Sequence, residues 1–292
     1  MKRTLLAALL FAAALAQAQF GGFDLGKALD IGKKVVKGAE ASKDLTTEQE
    51  IALGEAVTAS FLGASPLHGD ANLQRYVNRV GRWLALHSDR AELPWTFGVI
   101  DTETINAFAM PGGSVIVSSG LLKRLSSESE LAGVLAHEIA HVVKRHQVTA
   151  IQSGARSEAF TSITKDLAAD QIGRRGGNVV GKQVSTWASN AAQDLIKDGF
   201  FLRPLDRGME EEADQLAVVI AARSGYDPYG LAAALAMLAQ YKGDADAASL
   251  FSTHPPAAER LDRLESVLGR MDRYASQPQN QQRYRQVVAP LR

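Results

Sequence analysis

The chain has 292 residues, 46% of them apolar, with 32 basic side chains against 32 acidic ones and no cysteine. That length allows one large domain or two small ones. Zero net charge without a dense basic run argues against a nucleic-acid partner, and the absence of cysteine excludes a disulfide framework and a lipid-bearing cysteine.

In chain order, residues 1–18 read as a cleaved signal peptide. Lys2 and Arg3 precede an apolar run over 5–16, and Ala16-Gln17-Ala18 supplies a small-x-small cleavage site. The run is too short to span a bilayer, which needs about 20 apolar residues. A periplasmic or secreted location follows, and the protein is not expected to be a lipoprotein. Residues 19–44 read as a loose leader, 45–272 as the functional domain, and 273–292, rich in Gln, Arg and Pro, as a tail expected to fray.

The domain opens with "TTEQEIALGEAVTASFL", a helix with Thr46 or Thr47 as N-cap and Glu50 completing a capping box. "ANLQRYVNRVGRWLALHSD" is a second helix, with one apolar face formed by Leu73, Tyr76, Val77, Val80, Trp83 and Leu84. "LPWTFGVID", "TINAFAMP" and "GGSVIVSSG" read as strands, the last two joined by a turn at Pro111-Gly112-Gly113. Helical periodicity resumes near Leu121 and runs to the end. The expected fold is α+β, mostly helical, with a small antiparallel sheet. Residues 148–205 form a helical insert that reads either as a lid or as plain surface.

"LAGVLAHEIAHVVKRHQ" carries the chemistry. His137-Glu138-Ile139-Ala140-His141 matches H-E-x-x-H. On a helix, positions i and i+4 share a face, so His137 and His141 can grip one cation while Glu138 reaches a water beside it. Ser126, Ser127 and Glu130 supply a capping-box start. A catalytic zinc needs a third protein ligand and an open position. "RGMEEEADQLAVVIAARSG" places Glu210 and Asp214 on one face of another helix, with Glu211 and Glu212 directed elsewhere. Those two acids fit a ligand and its supporting carboxylate. They fit a charge complement to the helix dipole equally well.

Together these segments resemble the gluzincin metallopeptidase family of HtpX, the type 1 CAAX prenyl protease and the periplasmic protease BepA. "ELAGVLAHEIAHVVKRH" is similar to its zinc helix, "EEEAD" to its third-ligand element, "INAFAMPGGSVIVSSGLL" to its cleft-side edge strand and "THPPAAERL" to its His-Pro element. The likeness runs from about residue 45 to 268. It implies a zincin-type domain with the sheet flanking the H-E-x-x-H helix, and one Zn2+ per chain held by His137, His141 and Glu210. It also implies Glu138 as general base and acid, Asp214 as the supporting acid, and unfolded or misassembled proteins as substrates. The multi-span helices of HtpX and the prenyl protease are missing, which points to the soluble branch. The helical repeats of BepA are missing too, which puts docking to the outer-membrane assembly machinery in doubt.

Other roles stay open. His254 precedes two prolines and sits at a loop-to-helix junction. It reads as a donor to the oxyanion or as a latch on the open zinc position. Arg260, on the following helix, reads as a salt-bridge partner or a group near the substrate carbonyl. Asn106, Ala107, Phe108, Gly112 and Gly113 could bind substrate along a strand edge, or lie in sheet interior. His146, turned about 100° off the zinc face, reads as surface or as support; His68 and His87 have no constellation around them. Peripheral association with a membrane is compatible with the chain. Two functions follow, a zinc endopeptidase of envelope quality control and a periplasmic chaperone or assembly factor with a structural or latent zinc site.

Overall fold

A computed structural model describes residues 47–152, 205–241, 244–247, 253–274 and 276–291. The signal peptide, the leader, Thr46 and the lid reading of the insert beyond residue 152 lie outside the described residues. Within them the chain is α+β and mostly helical, as its periodicities predict.

Helix α1 (Thr47–Ala64) opens the domain. Glu50 in its first turn is an interior group. Its carboxylate is buried and accepts hydrogen bonds from Arg90 at 2.9 and 3.0 Å, with Arg145 at 3.1 Å. A buried carboxylate without cations beside it is strongly destabilising. Helix α2 (Ala71–Ala85) starts at Asp70, whose Oδ1 accepts the backbone N–H of Asn72 at 2.7 Å and of Leu73 at 3.3 Å. Leu73, Val77, Val80 and Leu84 fill its buried stripe. Trp83 leaves that stripe: it is 49% exposed, and its indole N–H donates to the Ser224 carbonyl.

Strands β1 (Thr96–Ile100), β2 (Ala107–Met110) and β3 (Ser114–Ser118) form one sheet in the order β1-β3-β2. The pair β2–β3 is antiparallel, but β1–β3 is parallel, so the sheet is mixed rather than antiparallel. β1 and β2 run in opposite directions with one strand's width between them, and the turn after β2 feeds β3 into that gap. Gly112 makes the turn at φ 76°. A Cβ there would lie 2.5 Å from the Ile51 Cα, so glycine is also what lets α1 cross.

Helix α3 (Ser119–Arg124) leads to α4 (Glu128–Val143), the central element. Its start is a variant of the predicted capping box, shifted by one residue on the returning bond. Ser127 Oγ accepts from the Glu130 N–H at 3.1 Å, and Glu130 reaches back to the Ser126 N–H at 2.7 Å. Every residue from Glu128 to Val142 is buried, so α4 has no solvent face and its histidines are interior groups. It is enclosed by α2, β2, α6 (Arg207–Arg223) and α7 (Gly230–Leu238). α7 crosses at Gly230, where a Cβ would sit 2.0 Å from the Ser129 carbonyl oxygen. Helices α5 (His146–Gln152) and α8 (Ala257–Leu268) flank the assembly.

The tail does not fray. Helix α9 (Gln281–Val288) buries Tyr284 and Val288 completely, and the Tyr284 hydroxyl donates to the Leu122 carbonyl at 2.6 Å. Arg283 pairs with Glu128, a buried carboxylate that also accepts from Tyr76 at 2.8 Å and Tyr226 at 2.9 Å. Two apolar side chains four apart and one ion pair outweigh a polar composition.

Candidate active site

Three helices converge. α4 brings His137, Glu138 and His141; the first turns of α6 bring Glu210 and Asp214; the Thr253–Pro256 junction and α8 bring His254 and Arg260. All seven side chains are buried, at 9% exposure or less. His137, His141, Glu210 and His254 each offer one ligand atom, and all four atoms lie within 4.8 Å of one another.

The polar contacts around the two α4 histidines favour one tautomer of each. His137 Nδ1 is 2.9 Å from Asp214 Oδ1. Arg260 Nη2 also lies 3.2 Å from that Nδ1 and 3.4 Å from Nε2. Asp214 is the nearer group and a carboxylate only accepts, so we assign the proton to Nδ1, which leaves Nε2 bare. His146 Nε2 lies 3.2 Å from Glu212 Oε2, so it too donates, and the other ring nitrogen of His146 is an acceptor. That acceptor, Nδ1, is 2.9 Å from His141 Nδ1. His141 therefore also holds its proton on Nδ1 and presents a bare Nε2. The two bare nitrogens face each other at 3.0 Å. Glu210 Oε1, 3.5 Å from His141 Nε2, is buried with no hydrogen-bond partner. Two lone pairs and an orphaned carboxylate oxygen repel at this distance unless a cation lies among them. The donor set is imidazole and carboxylate, which suits zinc.

Charges follow the same logic. Burial alone would raise the Glu210 carboxyl, but His254 and His141 beside it hold it far below the usual carboxylate range. Asp214 is also pushed up by burial and pulled far down, by Arg260 and then His137. Burial, and then His137, press the His141 imidazole well below its ordinary value and keep it neutral, as a ligand must be. Burial lifts the Glu138 carboxyl, against the pull of His137 and His254.

The predicted residues fall as follows. Glu210 contributes a carboxylate to the four-residue cluster, and Asp214 lies beside His137 Nδ1. His254 lies inside the ligand set, its Nδ1 2.9 Å from Glu210 Oε2. Arg260 forms the salt bridge: Nε donates to Asp214 Oδ2 at 3.0 Å and Nη2 to Oδ1 at 2.6 Å. It acts on the site through Asp214 and His137. β2 is an outer strand of the sheet and packs against α4 and α1. Phe108 packs against Phe61 with the rings tilted and their centroids 5.0 Å apart, and the Ala107 N–H donates to Asn106 Oδ1. Gly112 and Gly113 are buried, the first beneath α1 and the second beside Trp95; close packing calls for glycine at Gly112, and positive φ calls for it at both. His68 and His87 lie apart from the site, on local bonds to Asp70 and Trp83.

The link from Glu212 through His146 was not legible in the sequence. An unbroken helix would turn His146 away from His141. α4 instead ends at Val143, and the chain reverses at Arg145, φ 58°, which swings His146 back over the helix end.

A family model described as peptidase family M48 matches residues 71–268. The chain is 32% identical over 231 residues to the beta-barrel assembly-enhancing protease of Yersinia pestis, covering 77% of this chain and 45% of that protein. The protein of that name in Escherichia coli (strain K12) is 31% identical over 233 residues, with the same coverage. The mitochondrial metalloendopeptidase OMA1 of Schizosaccharomyces pombe is 34% identical over 194 residues, 66% of this chain and 52% of that one. The chain thus spans about half the length of the curated relatives it matches.

Proposed function

Because the chain belongs to peptidase family M48, we propose that it is a metalloendopeptidase that hydrolyses peptide bonds of unfolded or misassembled envelope proteins, with one zinc held by His137, His141 and Glu210. The observation that carries the zinc reading is the pair of bare Nε2 nitrogens facing the unpartnered Glu210 oxygen. Zinc bound there supplies a Lewis acid and brings the pKa of a water to about 7. Glu138 follows His137 directly and takes the attacking water's proton, then returns it to the departing amine. Asp214 and His146 hold the two imidazoles in the ligand tautomer. His254 lies where a fourth ligand would compete with water, which favours the latch over the oxyanion donor.

The substrate class is supported by the names of the bacterial relatives and by β2, an outer strand against the zinc helix where an extended chain can add. Export to the periplasm or beyond is supported by the signal-like first 18 residues. The expected result is cleavage of unfolded casein that stops with a chelator and returns with one equivalent of zinc. Cleavage indifferent to chelator, or a protein that binds no zinc, would sink the reading. A chaperone with a structural site has no use for Glu138, which favours the enzyme.

Among the described residues no helix is long and apolar enough to cross a membrane. Peripheral contact has a specific face. Arg75, Arg79, Arg82 and Trp83 of α2, with Leu86 just past its end, line an open depression of about 450 Å³. Trp83 and Leu86, at 49% and 63%, are the large apolar residues left exposed among the described residues. Basic groups near an anionic surface contribute about 1 kcal/mol each, and tryptophan favours the headgroup level. The protein should sediment with phosphatidylglycerol vesicles, less at high salt, and not with phosphatidylcholine. Arg75→Glu with Arg79→Glu should abolish the binding; no sedimentation, or equal sedimentation with both lipids, would remove the membrane reading.

A further inference from the structure

Helix α6 presents three carboxylates on alternate residues, Glu210, Glu212 and Asp214. Glu210 faces the ligand set and Asp214 holds His137. Glu212 points away from the cluster and its side chain is 48% exposed, yet it is not idle. Its Oε1 meets Lys144 at 2.7 Å and its Oε2 meets His146 Nε2 at 3.2 Å. His146 is buried, 3% exposed, and reaches His141 Nδ1 at 2.9 Å. We propose that His146 and Glu212 form a positioning pair for the second zinc histidine, doing for His141 what Asp214 does for His137.

The geometry explains why an intermediary is needed. Asp214 lies one helical turn from Glu210 and reaches His137 directly. Glu212 lies on another face of α6 and is too far round to reach His141, so an imidazole spans the gap. It accepts at Nδ1 and donates at Nε2, and a neutral imidazole does both at once. Fixing the His141 proton on Nδ1 leaves Nε2 free for the cation, and the hydrogen bond raises its basicity. The backbone supplies an independent observation. Arg145 is one of two non-glycine residues with positive φ among those described. Such a conformation persists only where the surroundings impose it, and it clusters at functional sites. Here it brings His146 onto His141, while the Arg145 side chain is anchored on Glu50 at 3.1 Å.

The inference rests on the zinc reading above, and the test separates the two. Zinc affinity is measured by competition with a chromophoric chelator, and the melting temperature of the metal-free protein is recorded alongside. Glu212→Ala, a half-exposed change that leaves the core intact, and His146→Leu should each weaken zinc by about 10–100-fold. His146→Asn, which keeps an acceptor near the Nδ1 position, should recover most of that loss. The metal-free melting temperature of Glu212→Ala should stay near that of the wild type. Unchanged zinc affinity in Glu212→Ala would overturn the pair, as would equal losses in the Leu and Asn variants. A wild type that binds no zinc would instead bring down the reading on which the pair stands.

Discussion

Glu138→Gln should lower kcat by about 10²–10⁴-fold while zinc content stays at that of the wild type and KM changes little. The substitution keeps the shape and removes only the ability to accept a proton. Glu138 is 4% exposed, adjoins a ligand in sequence and, among the described residues, makes no ion pair. Its charge lies close enough to His137, His254 and Arg260 for each to act on its carboxyl. Burial that raises this carboxyl improves it as a base, because proton transfer is most efficient when its pKa approaches the working pH. An inactive variant with full zinc occupancy would establish proton transfer as its role. Wild-type turnover by a clean Glu138→Gln preparation would leave the site without a base and favour the chaperone reading.

How much of this was readable in advance depends on the range over which each feature is determined. His137, Glu138 and His141 are fixed by one helix, so spacing alone places them. Glu210 and Asp214 share a face on a second helix, and only their side of α6 had to be right. The capping box at Ser127 and Glu130 is equally local. Features that needed distant partners were not legible. β3 lies between β1 and β2 because of where the loop over 101–106 carries the chain, and nothing in three short apolar runs specifies that order. Tyr284 and Val288 sit in a Gln- and Arg-rich tail whose composition hides them. Glu50 looked like a cap, because its partners Arg90 and Arg145 are 40 and 95 positions away. His146 was displaced from its expected face by one left-handed residue, Arg145, which periodicity does not register.

Arg260→Ala should be strongly destabilising, because it strands a buried charge. Arg260 and Asp214 are 6% and 3% exposed, and the guanidinium grips the carboxylate through two nitrogens. Removing one member of a buried pair costs about 3–5 kcal/mol, and at about 2–4 °C per kcal/mol for a domain of this size the melting temperature should fall by about 6–20 °C. Measuring it in chelator keeps zinc stabilisation out of the comparison. Arg260 and Asp214 act as a unit, so the double variant Arg260→Leu with Asp214→Leu should regain part of the lost stability: no lone charge remains, and apolar replacements of buried pairs are often neutral. Zinc affinity should not recover with it, since His137 Nδ1 has then lost its acceptor and nothing holds the ring in the ligand tautomer. A double variant restored in both stability and zinc binding would mean that Asp214 is only a counter-ion for Arg260. A double variant restored in stability alone places the acid where the geometry puts it, between a cation that anchors it and an imidazole that it aims.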